Sequence, residues 1–93
     1  MSKAKKKRSQ APVALVYVID FARQGMQDRP MDALRYAAVD CGFVGQNVYL
    51  YCAAHGLHTV FLGMIDAPAI SAALGLPPTS TPLFAQTVGR PAE

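Results

Sequence analysis

The side chains most able to do chemistry in this chain are the adjacent amides Gln46 and Asn47. They sit in the apolar stretch DCGFVGQNVYLYCAAHGLHTVFLGMID that runs from Asp40 to Asp66. An amide pair within the most hydrophobic helix of a protein needs hydrogen-bond partners, since burying an unpaired polar group costs about 1–3 kcal/mol. The pair therefore predicts polar groups close by. Other chemistries find less support. His55 and His58 straddle a helix end and have no acidic third ligand beside them, so they do not make a metal site. Ser71, Ser80 and the neighbouring threonines fall in a proline-rich loop without an adjacent base. Gly42 and Gly45 lie inside a helix and not at a strand-to-helix turn, which excludes a dinucleotide-binding loop.

The elements that position these residues can be read from periodicity. Val13 to Ile19 is an unbroken β-branched and aromatic run, the pattern of a strand covered on both faces, and Asp20 closes it. Phe21 to Pro30 is a connecting loop with room for one helical turn. From Met31 or Asp32 to His55 the pattern predicts a helix of about 24 residues, roughly 36 Å long. Pro30 suits its first turn, and Gly56 followed by Leu57 suits a left-handed cap. The helix is apolar on nearly all sides, so it is expected to be surrounded by protein. Ala38, Gly42, Gly45, Tyr49 and Cys52 share a narrow arc of mostly small residues, where a second helix is expected to cross. Thr59 to Gly63 reads as a second strand, Ala67 to Leu74 as a short helix ended by Gly75, and Leu83 to Val88 as a third strand. Tyr17, Tyr36, Tyr49 and Tyr51 are expected in the core, each with its hydroxyl satisfied. Arg35 and Asp40 do not face each other along the helix and should find other partners.

Composition bounds the rest. Ninety-three residues make one domain, and 52% hydrophobic against 16% charged is more apolar material than a small monomer hides easily. A permanent partner chain is the simplest outlet. The net charge of +3 does not describe the body of the chain. Lys3, Lys5, Lys6, Lys7 and Arg8 lie in the first eight positions; the remainder has four arginines against six acidic residues, a net −2. That leaves no basic stripe for nucleic acid. Residues 1–10 read as a disordered basic arm. No signal peptide or spanning helix is expected, and Cys41 and Cys52, about 16 Å apart along one helix, are too far to bridge. They read as reduced, buried thiols of a cytoplasmic protein.

Four separated elements, APVALVYVID, RYAAVDCGFVGQNVYLYCAAHGL, TVFLGMID and LFAQTVGRP, resemble the carboxy-terminal half of the nitroreductase-like flavoenzymes. The likeness is to the branch with the SagB-type and thiazoline-oxidase dehydrogenases, and it covers residues 11–91. It implies an α+β partial domain ordered strand, long buried helix, strand, short helix, strand. It also implies a homodimer with FMN at the interface, NAD(P)H as electron donor and a small organic acceptor. The cofactor-binding residues it implies are Phe61, Leu62, Gly63 and Met64 against the flavin ring, Gln46 and Asn47 close to the flavin layer, where satisfying buried backbone groups is the plainer role than touching the flavin, and Arg90 near the phosphate. A glycine at position 63 would let the main chain approach a planar ligand, and the end of a strand is the plainer reading of the same residue. A solvated terminal arginine is the equal alternative for Arg90. No catalytic acid or nucleophile is expected, because the flavin carries the hydride chemistry.

The family's amino-terminal half, which grips the FMN phosphate, has no counterpart here. Lys7-Arg8-Ser9 stands directly before the first strand and does not take over that role. Two functions therefore compete: a flavoenzyme portion that needs a complementary amino-terminal half, and a non-catalytic remnant or interaction domain that dimerises without flavin.

Overall fold

The structure, a computed structural model, describes residues 13–25 and 28–91. Residues 1–10, read as a basic arm, lie outside the described residues. The elements run β1 (Val13–Asp20), α1 (Phe21–Gln24), α2 (Pro30–Ala54), β2 (His58–Leu62), α3 (Ala67–Leu74) and β3 (Ser80–Gly89). This is the expected α+β order, with α1 as the one turn allowed for in the loop.

Local chemistry sets the helix ends. Pro30 occupies the first turn of α2, where its missing N–H is not needed, and Asp32 places a negative charge near the positive end of the helix dipole. At the other end Gly56 takes φ 67°, and the Leu57 N–H donates to the Cys52 carbonyl at 2.8 Å. That bond turns the chain back towards β2. Asp66 caps α3 by accepting from the Ala69 N–H at 3.1 Å, and Gly75 at φ 66° ends it.

The strands form one antiparallel sheet in the order β1-β3-β2. β1 pairs along β3 from Val13↔Val88 to Asp20↔Ser80, with a break in register after Tyr17 that leaves Leu83 without a partner. β2 reaches only Ala85 to Gly89. The first half of β3 is therefore open on its β2 side, which is how a central strand accommodates Pro82 beside the bulge. β3 thus begins at Ser80 and not near Leu83, and Ser80 and Thr81 belong to the strand and not to a loop.

α2 lies across one sheet face. Gly45 and Cys52 of the small-residue arc are buried there, whereas Ala38 and Gly42 are exposed. The arc is thus a seat on strands and not a crossing point for a second helix. The helix is also not surrounded: Tyr36, Val39, Phe43 and Leu50 on its outer side are 52%, 51%, 68% and 58% exposed. β1 is likewise not covered on both faces, with Val13, Leu15 and Val18 exposed. The full burial expected of both elements fails because three strands and one long helix supply only one layer on each side of a contact. Arg35 pairs with Asp32 at 3.2 Å, one turn away, as its spacing from Asp40 required.

Candidate functional site

A single turn of α2, Gly45 to Tyr49, makes the polar and aromatic contacts that tie the helix to the strands. The Phe61 ring lies against Gly45, where a Cβ would sit 2.8 Å from two of its ring carbons. The ring is held from the other sides by Tyr17 and Phe84, with centroids 5.6 and 5.1 Å away. Gln86 is fully buried; its Oε1 accepts from the Tyr17 hydroxyl at 2.6 Å and its Nε2 donates to the Gly45 carbonyl at 3.3 Å. The Tyr49 hydroxyl accepts from the Phe61 N–H at 2.9 Å.

The buried amide of this chain is therefore Gln86, and not the Gln46-Asn47 pair. Both of those residues are exposed, and neither makes a side-chain hydrogen bond among the described residues. Gln46 and Asn47 are adjacent on a helix and so diverge by about 100°. Asn47 borders an apolar cavity of about 330 Å³ with Val13, Leu15, Val44, Val48 and Val88, on the β1 side of the helix. Of the tyrosines expected in the core, Tyr17 and Tyr49 have satisfied hydroxyls, but Tyr36, Tyr49 and Tyr51 are all exposed.

Phe61, Leu62, Gly63 and Met64 carry the chain out of β2. The Phe61 ring is committed to the core and its N–H to Tyr49, so Leu62 to Met64 form the accessible part of the segment. Met64 is fully exposed. Gly63 does not adopt a positive φ, and a Cβ there would meet only the Phe84 ring at 4.0 Å, an ordinary contact. Among the described residues nothing demands a glycine at this position. Arg90 follows β3, where Gly89 is paired with His58. That places it at the opposite end of β2 from Gly63, roughly 17 Å along the strand. The structure groups Leu62, Gly63 and Met64, and it separates them from Arg90 and Asn47.

A second cavity of about 290 Å³ opens between β1 and α2, bordered by Asp20, Arg23, Asp40 and Cys41 among others. Cys41 is half-buried and Cys52 buried, both as free thiols, so only Cys52 is as enclosed as the sequence suggested. Burial first, and then the Asp40 carboxylate, push the Cys41 thiol above its ordinary value of 9.0. Burial, and then Cys41, raise the Tyr17 phenol above 10.0. Both groups hold their protons more tightly folded than unfolded, so their contribution is complete below the unfolded values and is lost as pH rises through the folded ones. Thermal melts from pH 8 upward should show stability falling above about pH 9, and Cys41→Ser should remove the earlier part of that fall.

Among the described residues no helix is long and apolar enough to cross a membrane, and no group of three or more His, Cys, Asp or Glu residues could hold a metal ion. Residues 2–90 match the nitroreductase family. The chain belongs to the nitroreductase family. This nitroreductase-family chain is similar in structure to a protein from Ralstonia eutropha JMP134 assigned as a nitroreductase, with a TM-score of 0.82 and 30% identity. It resembles the NADPH:FMN oxidoreductase of Vibrio harveyi, solved in complex with NAD+, at a TM-score of 0.78 and 28% identity. A protein from Clostridium acetobutylicum assigned as an NADH oxidase shares the fold at a TM-score of 0.66 and 22% identity. These matches cover 88%, 98% and 99% of this chain but 39%, 43% and 54% of those chains. The family member described here thus spans about half or less of the length of its solved neighbours. A search of curated proteins returns no match.

Of the residues of this site, Gln86 was not singled out in the sequence, and Tyr49 was expected only as a tyrosine with a satisfied hydroxyl. Gln86 had a signal, a lone amide alternating with Phe84 and Val88 on the inward face of a strand. For Tyr49 the partner was not legible, since nothing local shows that its hydroxyl will meet a strand N–H.

Proposed function

We propose that this chain is the carboxy-terminal portion of an FMN-dependent, NAD(P)H-linked oxidoreductase, of the branch that includes the SagB-type and thiazoline-oxidase dehydrogenases, acting on a small organic acceptor. One observation carries the reading: the Leu62–Met64 turn combines a glycine that the fold itself does not need with a fully exposed methionine, directly above a rigid aromatic cluster. Residues of this kind fit a flat, mostly apolar ring with one polar edge. Gly63 offers unobstructed main chain, Met64 offers a polarisable surface that would keep water off the ring, and Phe61 fixes the turn from below. Bound FMN supplies the hydride transfer. Arg90 is the proposed phosphate contact, a role its planar guanidinium suits. Because Arg90 and the turn stand at opposite ends of β2, only an elongated ligand can meet both.

The partner is proposed to be a second copy of the chain or a complementary amino-terminal half. The support is the outer stripe of α2, where Tyr36, Phe43 and Leu50 recur every seven residues with Val39 beside them, all exposed. The competing reading is a remnant that dimerises without flavin, which the same exposed stripe of α2 would serve.

Gly63→Ala separates the two. The added methyl makes only an ordinary contact with the Phe84 ring at 4.0 Å, so the melting temperature should change by no more than about 2 °C, whereas FMN affinity should fall at least about tenfold if main chain at this turn meets the ring. The check is FMN fluorescence quenching on the chain alone and on the chain co-expressed with a complementary half. Equal affinity in wild type and variant would remove the turn from the flavin seat. No binding by wild type in either preparation would leave the remnant reading.

A further inference from the structure

β2 is the edge of the sheet, so every second N–H along it points away from β3 and has no strand partner. At Phe61 that N–H is nonetheless bonded, to a hydroxyl delivered from α2 twelve residues earlier in the chain. Tyr49 lies one turn beyond Gly45 on the arc that faces the sheet, and with 38% of its surface exposed its ring bridges the gap between helix and edge strand. The next fixed point along the chain is Asp66, whose carboxylate caps α3. Leu62, Gly63, Met64 and Ile65 are therefore slung between two polar anchors, Tyr49 on one side and Asp66 on the other. The Asp66 anchor is an ordinary helix cap, whereas the Tyr49 anchor is a tertiary bond that sequence-local forces do not supply.

We propose that Tyr49 is a positioning residue: its hydroxyl sets the height of the β2 edge over α2 and thereby holds the Leu62–Met64 turn in its ligand-ready place. The functional half of this assignment rests on the flavin reading of that turn; the mechanical half does not. Loss of the hydroxyl leaves the ring, the Gly45–Phe61 contact and the Gln86 bonds intact. It frees one strand N–H and allows β2 to ride up from the helix at its carboxy-terminal end.

The test uses the full chain as wild type, Tyr49→Phe and, as a control, Tyr51→Phe, whose ring stacks on His55 and touches none of these groups. Amide hydrogen exchange is followed by NMR without ligand, and FMN is then titrated while its visible absorption bands are recorded. In Tyr49→Phe the Phe61 amide should exchange about two- to tenfold faster than in wild type, relative to the amides of α2. FMN affinity should weaken by a similar factor, and the flavin bands should shift. Tyr51→Phe should behave as wild type. Unchanged exchange at Phe61 would overturn the assignment. So would faster exchange with wild-type FMN affinity and unshifted bands, since the turn would then be indifferent to the hydroxyl. If wild type binds no FMN, the flavin reading fails while the exchange data alone still decide whether Tyr49 holds the turn.

Discussion

Replacing Gly45 with alanine should lower the melting temperature by about 8–16 °C, from a net loss of about 2 kcal/mol. The new Cβ would stand 2.8 Å from two carbons of the Phe61 ring and 3.4 Å from Gln86 Oε1. The ring cannot slide aside at little cost, because Tyr17 and Phe84 bound it and its own main chain is tied to Tyr49. Overpacking of this kind costs about 1–3 kcal/mol, and the alanine returns up to about 1 kcal/mol in helix propensity. Gly42→Ala supplies the contrast. Among the described residues nothing lies within 4 Å of a Cβ at that position, so propensity acts alone and the chain should gain about 0.5–1 kcal/mol. Thermal melts followed by circular dichroism read both. Opposite signs at two glycines three residues apart on one helix would locate the close approach at Gly45, and a neutral Gly45→Ala would show that Phe61 is not wedged there.

Tyr17→Phe should cost about 1–3 kcal/mol, more than the loss of one partly exposed hydroxyl ordinarily would. The excess arises at Gln86, which has no exposed surface and would keep a buried carbonyl oxygen without its donor. Gln86→Leu removes that oxygen and the amide together, so the double variant Tyr17→Phe with Gln86→Leu should recover most of what Tyr17→Phe loses. Replacing both members of a buried hydrogen bond by apolar groups is far milder than orphaning one. Urea unfolding of the single and double variants should give a coupling of about 1–2 kcal/mol between the two positions. Strict additivity would mean that the 2.6 Å contact contributes nothing that the separate side chains do not.

What could be read from the residues alone follows from how local each signal is. The bounds of α3 were legible because Pro68 and Gly75 each act within one turn of the helix end, where the structure adds Asp66 as the cap. α2 was legible for the same reason, with Pro30 at one end and Gly56 at the other. β3 was only half legible. Pro77, Pro78 and Pro82 read as loop punctuation, yet the last of these sits in a strand whose one open side, created by the shortness of β2, tolerates it. That tolerance depends on where another strand stops, which no local pattern records. The same limit explains the site. An amide pair in an apolar helix drew attention to Gln46 and Asn47, but burial was decided by which helix face meets the sheet, and that face carries Gly45 and Cys52 instead. The turn from Phe61 to Met64 was legible through family resemblance, whereas its supports are tertiary: Tyr49 reaches it from α2, 12 residues earlier, and Gln86 stands opposite Phe61 on β3 while bonding Gly45 of the helix.

The order of the strands also governs when the sheet can exist at all. β1 and β2 never touch; each is completed only by β3, which follows both in the chain, and Val13 finds its partner at Val88. Pairing across so long a separation must be preceded by loop closure that no earlier contact rewards, which makes such folding intrinsically slow. Of these three strands β1 is therefore made first and waits, an apolar strand not yet paired with β3, until β3 follows. Its vulnerable interval is set by translation speed and not by the stability of the finished fold, so slowing synthesis of the segment between β1 and β3 should increase misassembly without altering the melting temperature of the molecules that succeed.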